Sequence, residues 1–277
     1  MITNHKPTAD IRLFSRAAHI LRSFFLARGF VEVHTQDRLS ILAACEDPTT
    51  VATYEYEGAV WPLPQTGQMW LEYELLTKPD LPGVFCLSTS YRNEPNPVPG
   101  RHERIFPMFE FEVKGTMDDL RELETDLCEA AGLGERGEFH YAVYADMAER
   151  YGTDDLTSDE EKLMKDEFGR VVFLESFPEH TSPFWNMKRS GGGIANKIDV
   201  IIDGQETIGS AERSSDVDDM RHRFETISEG AYARLLFEKF GEARVRRELD
   251  EFLSLPFFPR FGGGIGMTRF MRALSAS

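Results

Sequence analysis

Apolar residues recur at helical spacing at Ile11, Phe14, Ala18, Leu21 and Phe25, which predicts an amphipathic helix over residues 8–28, with Gly29 as its stop. Residues 30–35 then alternate apolar and polar, the period of a strand. Alternation returns at 51–56, and a turn-rich stretch at 62–68 leads into a helix over 69–77. Two strands, 84–91 and 105–113, flank a proline-rich loop and make a long hairpin. Residues 116–131 read as a helix with an acidic, solvated face (Asp118, Asp119, Glu122, Glu124, Asp126). The polar stretch 141–168 reads as helical and carries no assigned chemistry; a short strand follows at 171–174. Strands at 197–204 and 205–213 pair through a tight turn, and 214–251 is helical with an apolar stripe of Phe224, Ile227, Leu235, Leu236 and Phe240. Glycines 262–264 then run into a helix over 265–274. Strands joined by hairpins predict an α+β fold with a mainly antiparallel sheet flanked by helices. The expected organisation is a single domain over 1–277 with a helical excursion at about 116–170.

Charge narrows the function classes. The 277 residues carry 31 basic and 47 acidic side chains, a formal net charge of −16, which argues against non-specific binding to nucleic acid or an anionic membrane. The three cysteines (Cys45, Cys86, Cys128) are far apart and make neither a disulfide framework nor a zinc motif. With no signal-peptide pattern and no apolar run of ~20 residues, the expected location is the cytoplasm, away from membranes. The two commonest nucleotide-binding loops, GxxxxGK[ST] and GxGxxG, are absent.

Three stretches suggest chemistry. In 262–269 (Gly-Gly-Gly-Ile-Gly-Met-Thr-Arg), bare backbone would let a flat ligand approach and Arg269 would stack on it; a glycine turn with a surface arginine is the competing reading. The hairpin carries Arg92 at its base and Arg101 and Arg104 nearer its tip, a spacing that suits the oxygens of a polyphosphate. Asp199, Glu206 and Arg213 would share one face of a strand pair, either as a Mg²⁺-holding surface or as a satisfied ion cluster.

Taken together and in order, these stretches resemble the catalytic domain of class II aminoacyl-tRNA synthetases, aspartyl/asparaginyl branch. Residues 30–35 look like the first signature motif. Tyr91-Arg92-Asn93-Glu94, Arg101-His102 and Ile105-Phe106 through Glu110-Phe111-Glu112 look like the second, and 262–269 the third. Residues 206–213 resemble the branch's Glu-Ile-x-Gly-Gly-Ser-Gln-Arg segment, and Cys45-Glu46 and Thr66-Gly67-Gln68 are nearer the asparaginyl version. The resemblance implies that Arg92 binds the α-phosphate of ATP and Glu94 the adenine amino group. Phe106 and Arg269 would sandwich the adenine against Gly264 and Gly266. Arg101, His102 and Arg213 would reach the outer phosphates, and Glu206 with Asp199 would hold Mg²⁺. Gln68 and Glu110 would hold the substrate's α-amino group under a loop containing Glu46.

Departures from the family pattern matter as much. The first motif begins almost at the N-terminus, so the anticodon-reading β-barrel is expected to be missing, which with the charge argues against charging a full tRNA. Gln36 replaces a proline of the first motif, Ile105 a glutamate, and Arg260 a histidine. Leu71 and Ser254 stand where a lysine and an arginine read the side chain of aspartate, leaving Arg260, Lys188 and Arg189 as candidate replacements. The resemblance then implies a stand-alone, homodimeric, AMP-forming ligase. It would activate an aspartate-like amino acid and pass it to ammonia, as an asparagine-synthetase-like paralogue. A carrier protein, small amine or tRNA is the alternative acceptor, and a non-catalytic amino-acid or nucleotide sensor is the alternative of another class.

Overall fold

The computed structural model describes residues 10–35, 39–41, 49–93, 103–181 and 185–276. In chain order the elements are α1 (Ile11–Ala27), β1 (Val31–Glu32), β2 (Thr53–Tyr56), β3 (Ala59–Pro62), α2 (Gln68–Thr77), β4 (Gly83–Tyr91), β5 (Ile105–Lys114) and α3 (Met117–Ala130). There follow β6 (His140–Val143), α4 (Tyr144–Tyr151), α5 (Ser158–Phe168), β7 (Val171–Pro178), β8 (Arg189–Gly191), β9 (Ile194–Ile202) and β10 (Gln205–Arg213). The last elements are α6 (Val217–Thr226), α7 (Ala231–Phe240), α8 (Glu242–Leu253), β11 (Arg260–Gly266) and α9 (Met267–Ser275).

One large sheet runs β1-β4-β5-β11-β10-β9-β7-β6, with β8 paired to β9 and β2-β3 a separate hairpin. The α+β expectation holds, but the sheet is mixed: its centre is antiparallel, while β1 lies parallel to β4 and β6 parallel to β7 at the two edges. Among the described residues, no helix is long and apolar enough to cross a membrane, and Cys86 and Cys128 are buried and in no disulfide. Cys45 lies outside the described residues.

The sheet's two faces differ in chemistry because strand side chains alternate. One face is a dry core under α1, α3 and α9, built from Phe109, Phe111, Ile198, Val200, Ile208, Phe261 and Ile265. Asp10 caps α1, accepting from the backbone amides of Arg12 and Leu13 (2.8 and 3.3 Å). The helix then buries Phe25 against Phe85, Phe109 and Phe111 at 5.2–5.6 Å between ring centres. The other face is polar and carries the cavity described below.

Several expectations need correction. The strand expected over 30–35 pairs only at Val31–Glu32. The segment 116–170 is helical in α3, α4 and α5, but it returns to the sheet through the short edge strand β6, and β7 reaches Pro178. Glu124, placed on the solvated face of α3 by the sequence pattern, is wholly buried against the sheet. Desolvation there holds its pKa well above the usual carboxylate range.

Glycine is required at the centre of the sheet. β11 lies between β5 and β10, with Gly262 opposite Glu112 and Gly264 opposite Glu110. A Cβ at Gly262 would fall on the Glu112 carboxylate, and one at Gly263 would meet Ser210 Cβ at 2.7 Å. Gly262→Ala should therefore cost about 1–3 kcal/mol by overpacking. Urea denaturation read by fluorescence checks this; an unchanged midpoint would contradict it.

Candidate active site

A cavity of about 660 Å³ opens on the polar face, floored by β11 and β10 and walled by β5, β9 and the start of α2 and α5. Gln68, Arg92, Glu110, Asp199, Glu206, Arg213 and Gly264 all line it, so the structure brings together seven residues that lie far apart in sequence. Glu46, Glu94, Arg101 and His102 lie outside the described residues, as does Gln36.

At the β5 end, the turn before α2 packs onto Glu110. The fully buried carboxylate accepts from the Gly67 amide (2.8 Å), the Ser88 hydroxyl (2.6 Å) and the Thr66 hydroxyl. Three donors fix its orientation. Gly67 allows the approach, since a Cβ there would meet Thr35 Cγ2 at 2.8 Å. Gln68, in the first turn of α2, is also buried beside it. A carboxylate and an amide at one end of a cavity suit an ammonium group.

Arg92 follows β4, its amide donating to the Arg104 carbonyl at 2.7 Å. Its guanidinium carbon lies 5.3 Å from the centre of the Phe106 ring, and its buried Nε has no hydrogen-bond partner among the described residues. Phe106 shares a strand face with Met108 and Glu110, one step further out. Met108 pairs with Gly266, and α9 starts at the next residue, so Phe106 and Arg269 sit at the same end of the sheet. Arg269 donates to the Glu206 carbonyl and stands 3.7 Å from its carboxylate. Neither Phe106, Arg269 nor Gly266 lines the cavity itself.

On β9 and β10, Asp199 Oδ1 and Glu206 Oε1 flank Gly209, whose added Cβ would meet them at 3.4 and 2.9 Å. Burial pushes the Asp199 carboxyl up to about 7; Lys197 opposes that shift and the Glu206 charge adds to it. Asp199 Oδ1 is buried and has no hydrogen-bond partner among the described residues. An orphaned carboxylate oxygen beside a second carboxylate fits a hard cation. Among the described residues no three His, Cys, Asp or Glu gather as a cage, so any ion here must take further oxygens from elsewhere.

Arg213 and Arg260 are both paired with buried carboxylates. Arg213 borders the cavity, but its guanidinium donates to Glu112 at 2.6 and 3.0 Å. Arg260 is not at the cavity. It is fully buried, donates twice to Glu72 (2.6 and 3.1 Å) and once to the Ser214 carbonyl (3.0 Å). Glu72 also accepts from Asn186 at 2.7 Å. The other two candidates for reading a substrate side chain are likewise bound elsewhere, Lys188 to Glu212 (2.8 Å) and Arg189 to Glu179 (2.5 Å). Leu71, where the family pattern has lysine, is packed with Leu75, Val84 and Cys86.

Sequence reading missed Lys197 and the α4–α5 wall, where Tyr144, Thr157, Ser158 and Glu161 border the cavity. Lys197 was within reach, because residues 197 and 199 of one strand share a face. The start of α5 also had its signal, the capping box of Thr157 and Glu160. What no local pattern told was that this helix start faces the cavity, with Glu161 accepting from the Glu206 amide at 2.9 Å.

Comparison with known proteins bears on this geometry. The profile of the family described as tRNA synthetases class II (D, K and N) matches residues 1–277. A cytoplasmic aspartate–tRNA ligase of Pongo abelii is 24% identical over 302 residues, covering 94% of this chain and 56% of the relative. A lysine–tRNA ligase of Campylobacter jejuni subsp. doylei is 23% identical, covering 99% and 62%. The chain thus spans less than two thirds of these relatives. In fold it is similar to the asparaginyl-tRNA synthetase of Pyrococcus horikoshii complexed with asparaginyl-adenylate, with TM-score 0.78, 21% identity, 95% of this chain and 64% of that one. The asparaginyl-tRNA synthetase of Entamoeba histolytica, also with asparaginyl-adenylate, gives TM-score 0.76, 19% identity, 96% and 64%.

Proposed function

This chain belongs to the class II tRNA synthetases (D, K and N), and from that premise we propose that it is an AMP-forming ligase that activates an amino acid with ATP. The observation that carries the reading is the single cavity joining Gln68 and Glu110, Arg92, and the Asp199–Glu206 pair. Gln68 and Glu110 hold the α-ammonium group of the amino acid. That leaves its carboxylate toward Arg92, whose free Nε faces the α-phosphate of ATP. A carboxylate oxygen attacks the α-phosphorus, the bond to the bridging oxygen breaks, and pyrophosphate leaves. Phe106 and Arg269 hold the adenine, with Gly264 and Gly266 keeping the backbone bare beneath the nucleotide. The protein supplies no nucleophile; it positions the reactants and stabilises charge.

Asp199 and Glu206 would hold Mg²⁺, which when bound neutralises phosphate oxygens. Burial raises the Asp199 carboxyl to about 7, so below that pH a cation held there would compete with a proton. The KM for Mg²⁺ should therefore fall as pH rises from about 6 to about 8, by up to roughly tenfold per unit below the pKa. Steady-state titration at each pH checks this, and a KM that rises with pH would contradict it.

The acyl group then passes to an acceptor, for which we propose ammonia. Its nitrogen attacks the acyl carbon, AMP leaves, and a proton is lost from nitrogen. The chain's −16 charge supports a small acceptor over the phosphates of a full tRNA. Aspartate stays the first amino acid to test. Arg260, Lys188 and Arg189 are each paired with a carboxylate of the protein, so none of them stands ready for its side chain. AMP release is measured with ATP, Mg²⁺, ammonium and each amino acid in turn. Release that requires one amino acid and rises with ammonium is expected. Release indifferent to ammonium would retire ammonia, and no release with any amino acid would count against the ligase.

A further inference from the structure

Lys197 occupies an unusual place for a lysine. It lies two residues from Asp199 on β9, on the same face, and both residues are buried. Its ammonium sits 2.5 Å from Asp199 Oδ2 and 3.9 Å from the centre of the Phe177 ring. Ring and carboxylate together fix the position of the charge. With Oδ2 taken by the ammonium, Asp199 Oδ1 is the oxygen left without a partner among the described residues, and it lies beside Glu206 Oε1 across Gly209.

We propose that Lys197 makes divalent-metal binding at this site depend on the nucleotide, by occupying one oxygen of Asp199 with its own ammonium. A small divalent cation asks for about six oxygens in near-octahedral array. Here the pair presents two, next to a fixed positive charge that repels the incoming ion. A polyphosphate supplies both the missing oxygens and the offsetting negative charge. Asp199 and Glu206 would therefore hold a metal tightly only beside a bound polyphosphate, and weakly in the empty protein. Lys197 is a positioning residue in this scheme: it acts through Asp199. The inference takes from the proposed function only that the bound polyphosphate is ATP.

The test is titration of the full chain with Mn²⁺ alone, followed by electron paramagnetic resonance. Wild type should bind Mn²⁺ weakly without nucleotide and tightly with ATP. Lys197→Met should tighten nucleotide-free binding by at least roughly tenfold, since one unit of repelling charge is removed at close range. Lys197→Arg, which keeps the charge, should behave as wild type; Lys197→Gln gives the same readout as Met should that variant fail to fold. A folded Met or Gln variant with unchanged or weaker nucleotide-free affinity overturns the inference. If metal-free ATP binding is lost as well, Lys197 belongs to phosphate binding instead. Adenylate formation with unchanged metal affinity in the variants would remove this inference and leave the proposed function. Nucleotide-gated Mn²⁺ binding without adenylate formation would do the reverse.

Discussion

Replacing Arg92 with Ala should lower the rate of adenylate formation roughly 10²–10³-fold while leaving the melting temperature unchanged. The guanidinium borders the cavity, its Nε is buried without a partner among the described residues, and its stacking on Phe106 holds it in place. A buried donor left unsatisfied in the empty protein is poised for a group that arrives with substrate. Negative charge grows on the α-phosphate oxygens during attack, so the interaction is stronger in the transition state than in the ground state. The loss should therefore fall mainly on kcat. Under the sensor reading the same change would weaken nucleotide binding and have no turnover to abolish. Arg92→Lys should recover only part of the rate, because a lysine has no planar fork.

Arg260→Ala should act in the opposite way, through stability. Arg260 joins α2, β11 and the chain at Ser214 through Glu72 and one carbonyl, all out of contact with water. Removing one partner leaves the Glu72 carboxylate buried and unbalanced, which costs about 3–5 kcal/mol. Glu112 and Arg213 lie in the same cluster, with Arg213 also 3.8 Å from Glu72, so the loss should spread toward the cavity floor. Lys188→Ala makes the control. Its side chain is half exposed, and breaking its pair with Glu212 should cost much less. Chemical denaturation of both variants decides it. An Arg260→Ala protein of native stability, but with a raised KM for the amino acid alone, would return Arg260 to substrate binding.

The sequence was most informative where residue identity has few explanations. The glycines of β11, the paired strands β9 and β10, and the arginine after β4 were legible because each needs a particular backbone or charge. β10 occupies the expected residues 205–213. The mixed character of the sheet was not legible, since the parallel pairs at its edges join segments distant in sequence. Glu124 misled for a related reason, and the pairing of Arg260 with Glu72 was hidden in the same way. A charged residue reads as solvated or ligand-facing until its partner, or its burial, is known, and here these come from elements far away in the chain. The α4–α5 wall failed differently: its helices are polar and exposed on most faces, and only one helix start turns toward the cavity.

The measurement that tests the account most directly is ATP–pyrophosphate exchange, without tRNA, across a panel of amino acids. The account predicts Mg²⁺-dependent exchange stimulated by one amino acid and lost in Arg92→Ala. Measurable ATP binding with no exchange from any amino acid would contradict it.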